Sequence, residues 1–107
     1  MVDAISLQGE SPAPGLESFV PEFFRARRAD FADIRLYLAE RDFESLLKLA
    51  HKWRGFCEPY GFARLGDLAG ELEEQGKQRN LAGCEKIAEQ MDSYLCWKQE
   101  KLSLLSQ

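Results

Sequence analysis

The sequence has little of what β-structure, metal binding or hydrolysis would use. It has no threonine, two valines, three isoleucines and no alternating β-branched run, so strands are not expected. There is one histidine, His51, and the three cysteines, Cys57, Cys84 and Cys96, lack a CxxC spacing. That is too little for a zinc site of the usual His/Cys type. The cysteines fit a reducing, cytoplasmic setting, with small buried or half-buried thiols. Counting residues alone leaves a Ser-His-Asp or Cys-His hydrolase open, but no G-x-S-x-G nucleophile elbow is present. No apolar run approaches the ~20 residues of a spanning helix. The start, Met1 to Ser6, has neither the basic end nor the apolar stretch of a secretory signal. Basic charge is in deficit too. Fourteen Lys+Arg against eighteen Asp+Glu leave a net charge of −4, so neither nucleic acid nor a membrane is an expected partner, although local basic patches remain compatible.

What is present is helical. With 107 residues, 45% of them hydrophobic and 30% charged, the chain is long enough for one domain and too short for two. Residues 1–15, with Gly9, Ser11, Pro12, Pro14 and Gly15, show no periodic pattern and read as a flexible N-terminal arm. Met1 and this arm favour a free-standing chain over a piece excised from a longer one. Residues 16–107 read as a bundle. A first helix is expected from Val20 to Glu40, with Pro21 in its first turn. Phe23, Phe24, Phe31, Ile34, Leu36 and Leu38 supply its apolar positions, and Arg25, Arg27 and Arg28 a solvated basic run. A short turn carrying Leu16 and Phe19 precedes it. The second helix starts after the N-cap residue Asp42 and carries Phe43, Leu46, Leu47, Ala50, Trp53 and Cys57 on one stripe. Pro59 ends or kinks it near residues 57–61. The third runs from Phe62 to Gln75 on Phe62, Leu65, Leu68, Ala69 and Leu72, with Gly76 as its stop. The fourth follows Asn80 to about Leu102 on Leu81, Cys84, Ile87, Ala88, Met91, Tyr94 and Leu95. Four amphipathic helices with short joins at 40–42 and 76–80 predict an all-α, antiparallel up-down-up-down four-helix bundle with a short N-terminal helical segment.

At 100° per residue, His51 falls roughly 110° from the centre of the core stripe, leaning to solvent. Gly55 follows one turn along the same face. A mid-helix glycine costs ~1 kcal/mol against alanine, and here it leaves bare backbone beside the imidazole where another protein can come close. Arg54 adds a fixed cation on the adjoining face, with Lys48 and Lys52 nearby. Neutral imidazole is a nitrogen nucleophile, and cations stabilise a transferring phosphoryl group. These features suit a phosphoryl-carrying histidine. A histidine on a helix flank is also compatible with a plain surface residue of an unrelated bundle.

The segment Leu49-Ala50-His51-Lys52-Trp53-Arg54-Gly55, with Gly61 ten residues after the histidine, resembles the histidine-containing phosphotransfer (HPt) domain family and its motif A-H-x-x-K-G. Ala39-Glu40-Arg41-Asp42-Phe43 is similar to the family's lead-in, and Leu65, Leu68 and Leu72-Glu73 to its downstream leucine pattern. The resemblance spans roughly residues 18–97. It departs from the family's pattern at Arg54, where lysine is usual, at Trp53, larger than the usual leucine, and at Pro59. The resemblance implies a four-helix bundle in multistep two-component phosphorelays, without kinase activity of its own. It implies that His51 accepts a phosphoryl group from a receiver aspartate and passes it to another receiver. Arg54 would be the stabilising cation, Gly55 the clearance for the receiver, and Glu73 the group orienting the imidazole; Gly61 would be a packing glycine. The implied partners are response-regulator receiver domains and a hybrid sensor histidine kinase. No cofactor is expected on this chain, since the receiver supplies Mg²⁺, and a monomer is expected. Phe56 and the residues around His51 would form the docking surface, with Lys48, Lys52 and Arg54 facing an acidic receiver pocket. An alternative is a bundle that docks on receiver or kinase domains without being phosphorylated.

Overall fold

The computed structural model describes residues 10–105. Four helices carry the fold: α1 (Val20–Glu40), α2 (Phe43–Phe56), α3 (Ala63–Lys77) and α4 (Leu81–Leu105). Single 3₁₀ turns sit before α1 (Glu17–Phe19) and between α2 and α3 (Glu58–Tyr60). No strand occurs among the described residues. Around the bundle α1 packs on α2, α2 on α3, α3 on α4 and α4 back on α1. This is the antiparallel all-α bundle that the periodicity predicts.

The joins follow local chemistry. At the end of α1, Arg41 turns left-handed (φ 56°), and the Arg41 and Asp42 N–H groups donate to the carbonyls of Leu38 and Tyr37. Asp42 then caps α2 by accepting the Ser45 N–H at 3.1 Å. Asn80 caps α4 in the same way on the Gly83 N–H, also at 3.1 Å. Pro59 lies in the 3₁₀ turn, and Gly61 (φ 87°) reverses the chain into α3.

Trp53, Phe62, Ile34, Leu46, Leu65, Leu68, Leu72, Met91 and Leu95 are fully buried and form the centre of the core. Three expectations fail here. Gly76 does not stop α3. It lies inside the helix, buried against α2, where a Cβ would come within 3.1 Å of Leu47 Cδ2, and the reversal falls later, at left-handed Arg79. Leu36 is 52% exposed, because it sits about 200° around α1 from Ile34. Arg27 does not belong to a solvated run. It continues the buried stripe Val20, Phe23, Phe24, Phe31, Ile34, Leu38, and its guanidinium lies over the rings of Phe23 (4.5 Å) and Phe56 (4.4 Å). Asp30 neutralises it at 3.1 Å, and the same carboxylate oxygen accepts the Trp53 indole N–H at 3.1 Å. Of the other two arginines in the run, Arg25 is exposed and Arg28 pairs with Asp92 at 3.1 Å.

Part of the expected arm is anchored. Ala13 N–H donates to Pro59 O at 2.7 Å. Glu10 accepts the Arg64 N–H (2.8 Å) with one oxygen, and Tyr94 Oη (2.8 Å) and Lys98 Nζ (3.2 Å) with the other. Lys98 also donates to Gly61 O at 2.7 Å. The Lys98 and Glu10 side chains are 6% and 9% exposed, a buried ion pair with its remaining valences satisfied. Residues 1–9 lie outside the described residues.

Candidate functional site

The site is assembled across two helices. His51 and Arg54 stand on α2, and Glu73 reaches them from α3. The approach depends on small side chains on the inner face of α3. A Cβ on Gly66 would lie 3.5 Å from Cys57 Cβ and 3.9 Å from the carbonyl oxygens of Trp53 and Arg54, and Gly76 carries Leu46 and Leu47. Glycine weakens a helix by about 1 kcal/mol per residue relative to alanine. In return the α2 and α3 backbones come close enough for one glutamate to span the gap.

Glu73 uses both carboxylate oxygens. Oε2 lies 3.2 Å from His51 Nδ1, and Oε1 accepts from an Arg54 terminal nitrogen at 2.7 Å. The Glu73 side chain is only 10% exposed, whereas those of His51 and Arg54 are 70% and 55% exposed. Burial opposes the charge of Glu73. The hydrogen bond with His51 and the Arg54 guanidinium outweigh it, with Lys77 helping, and hold the carboxyl below the usual glutamate range. An ionised carboxylate can only accept, so the imidazole proton resides on Nδ1. The Nε2 lone pair is then free, on a ring that is mostly in solvent.

Gly55 is exposed, and a Cβ built on it would meet nothing within 4 Å. Its bareness therefore serves no packing purpose among the described residues. His51, Arg54 and Gly55 thus lie exposed on α2, with the buried Glu73 carboxylate reaching His51 and Arg54 from beneath. Lys48 and Lys52 are exposed on the same helix, Lys48 near Glu44 at 3.7 Å. Phe56 fits the expected docking surface less well. It is half-buried, packed edge-on against Phe23 at 5.6 Å beneath the Arg27 guanidinium. Gly61 belongs to the Glu10 anchor instead, where a Cβ would lie 2.9 Å from Glu10 O and Pro12 N.

Two of the three cysteines are closed to solvent. Cys57 is buried and its thiol is pushed up to about 12 by desolvation; Cys84 is buried and raised for the same reason; Cys96, exposed, receives a contact from Arg28 at 3.5 Å. Among the described residues no group of three His, Cys, Asp or Glu side chains is placed to hold a metal ion. No helix among them is long and apolar enough to cross a membrane.

The sequence reading missed Gly70. A Cβ there would come within 3.2 Å of Arg54 Cδ and 3.5 Å of Cγ. Its signal was available: Gly66, Ala69, Gly70, Glu73 and Gly76 recur at steps of three and four, a stripe of small residues interrupted by one carboxylate.

No curated protein and no solved structure matches the chain. The family model described as Hpt domain matches residues 18–102, most of the chain and the whole site. An exposed histidine on a helical bundle, with its ring held by a glutamate from the next helix, thus meets an independent family assignment. The chain belongs to the Hpt domain family, the histidine phosphotransfer modules of phosphorelay signalling.

Proposed function

We propose that this chain is a phosphorelay intermediate. His51 accepts a phosphoryl group from the aspartyl phosphate of one receiver domain and returns it to the aspartate of another. The observation that supports this reading is the shared carboxylate: Glu73 lies 3.2 Å from His51 Nδ1 and accepts from Arg54 at 2.7 Å, an arrangement suited to keeping the proton on Nδ1 and a cation near the ring.

The transfer balances without further groups. The Nε2 lone pair attacks phosphorus, an N–P bond forms, and the acyl-phosphate P–O bond breaks with its electrons returning to the receiver carboxylate. The ring becomes an Nδ1–H imidazolium, whose positive charge faces the Glu73 carboxylate. Arg54 offsets the phosphoryl charge, and Gly55 lets the receiver backbone approach. Such transfer depends mainly on positioning and charge. Mg²⁺ is held by the receiver, the ATP-dependent step belongs to a separate kinase, and the chain acts as a monomer with receivers of response regulators and of a hybrid sensor kinase.

The test is incubation with receiver domains phosphorylated by acetyl phosphate and Mg²⁺. The chain should gain an acid-labile, base-stable label, and His51→Gln should gain none. Tight receiver binding without labelling would instead favour an unphosphorylated docking module.

A further inference from the structure

Arg54, half in solvent, folds along α3 instead of pointing straight out from α2. Its stem lies across α3 at Gly70, and its tip ends one turn further on, 2.7 Å from Glu73. With hydrogen at position 70 the Cγ and Cδ methylenes rest on the α3 backbone. An alanine there would put its Cβ 3.2 Å from Cδ, tighter than ordinary contact. The Arg54 side chain is 55% exposed, so it is free to lift rather than force the helices apart. The glycine therefore sets where the guanidinium lies and is not needed to bring α2 and α3 together; Gly66, under the α2 backbone, serves that purpose.

The fork geometry matters as much as the stem. One terminal nitrogen of Arg54 is engaged by Glu73. A guanidinium carries five N–H donors, so others remain for a second anion while the first stays bound. A lysine also has several donors, but all on one nitrogen, so both anions would have to crowd around a single point instead of lying along a planar fork.

We propose that Gly70 is a positioning residue for phosphoryl transfer, a slot for the Arg54 stem that keeps the guanidinium on Glu73 with one nitrogen while its other N–H groups face the phosphoryl group on His51. This rests on the phosphotransfer reading above and adds the device that seats its cation.

The experiment compares four chains: wild type, Gly70→Ala, Arg54→Ala and the double variant. Each is assayed for single-turnover transfer from a receiver phosphorylated with acetyl phosphate and Mg²⁺. Melting temperature and the Arg54 side-chain N–H signal in a ¹⁵N NMR spectrum are recorded alongside. Gly70→Ala should hold or raise the melting temperature, since alanine favours the helix. It should shift the Arg54 signal and slow transfer about tenfold, the scale expected of a small misplacement of a reacting group. In the Arg54→Ala background the same substitution should cost less than about twofold, because a side chain without Cγ and Cδ does not use the slot. Equal loss in both backgrounds, or an Arg54 signal that does not move, overturns the proposal while leaving phosphotransfer intact. A wild-type chain that takes no label from any receiver overturns the phosphotransfer reading and this proposal with it.

Discussion

Replacing Glu73 by glutamine looks conservative, and the geometry predicts that it is not. The carboxylate offers an acceptor to each neighbour, Oε1 to Arg54 and Oε2 to His51 Nδ1. A carboxamide offers one acceptor and one donor group. Arg54 can only donate, so it claims the amide oxygen. The amide NH₂ then faces Nδ1, which must accept, and the proton moves to Nε2. The attacking lone pair is lost. A charged hydrogen bond of this kind contributes about 1.5–3 kcal/mol when buried, and exposed pairs about 0.2–1 kcal/mol. With Glu73 covered and Arg54 half in solvent, about 1–2 kcal/mol is the expected bias. That is about a 5- to 30-fold depletion of the reactive tautomer, and transfer from a phosphorylated receiver should slow by the same factor. Imidazole ¹⁵N shifts report the tautomer directly and should exchange their Nδ1 and Nε2 positions in Glu73→Gln. The decisive comparison is made in an Arg54→Ala background, where the amide is free to turn its oxygen to His51. There Glu73→Gln should cost less than about twofold. Equal slowing in both backgrounds, or an unchanged tautomer in the single variant, refutes the reasoning.

Three further outcomes are expected. Gly55→Ala should leave the fold intact and stabilise it by up to about 1 kcal/mol in chemical denaturation, since its Cβ meets open space; Gly55→Phe should unfold like wild type yet lose transfer, because only a docking partner meets the ring. Glu10→Gln should destabilise the chain by about 2–3 kcal/mol, less than the 3–5 of a fully orphaned buried charge, since Lys98 keeps the Gly61 carbonyl; Lys98→Met should recover much of the loss in the Glu10→Gln chain. Glu73 is held below its unfolded range of about 4.3, so its ion pairs stabilise the fold above that pH and the gain is lost as pH falls through the lower folded value; the stability gap between wild type and Glu73→Gln, followed by urea denaturation from pH 7 to 3, should narrow over that window, and a gap that widens on acidification would contradict this sign.

The helices were legible because their signals are local. Asp42 and Asn80 cap the helices they precede, and the α2 stripe of Phe43, Leu46, Ala50 and Trp53 is buried as its spacing requires. The His51, Arg54 and Gly55 neighbourhood was legible for the same reason, since all three lie within five residues on one helix. What sequence periodicity alone hides is contact between elements. Arg27 occupies a core position because Phe56, on another helix, covers its guanidinium and Asp30 and Trp53 complete its partners. Gly76 mimics a helix stop until the α2 leucines that need its space are in place. Gly70 has meaning only once Arg54 is laid across it, and Glu10 only once Tyr94 and Lys98, 84 and 88 positions further along the chain, are brought to it.

The Glu10 anchor also bears on where the chain can be trimmed. The family match begins at residue 18, and a recombinant protein trimmed to that position would still contain all four helices. It would also bury an ammonium group whose counter-charge had been cut away with the first seventeen residues. The packed part of the chain therefore reaches upstream at least to Glu10, and domain boundaries drawn from helix content alone would remove a part of the interior.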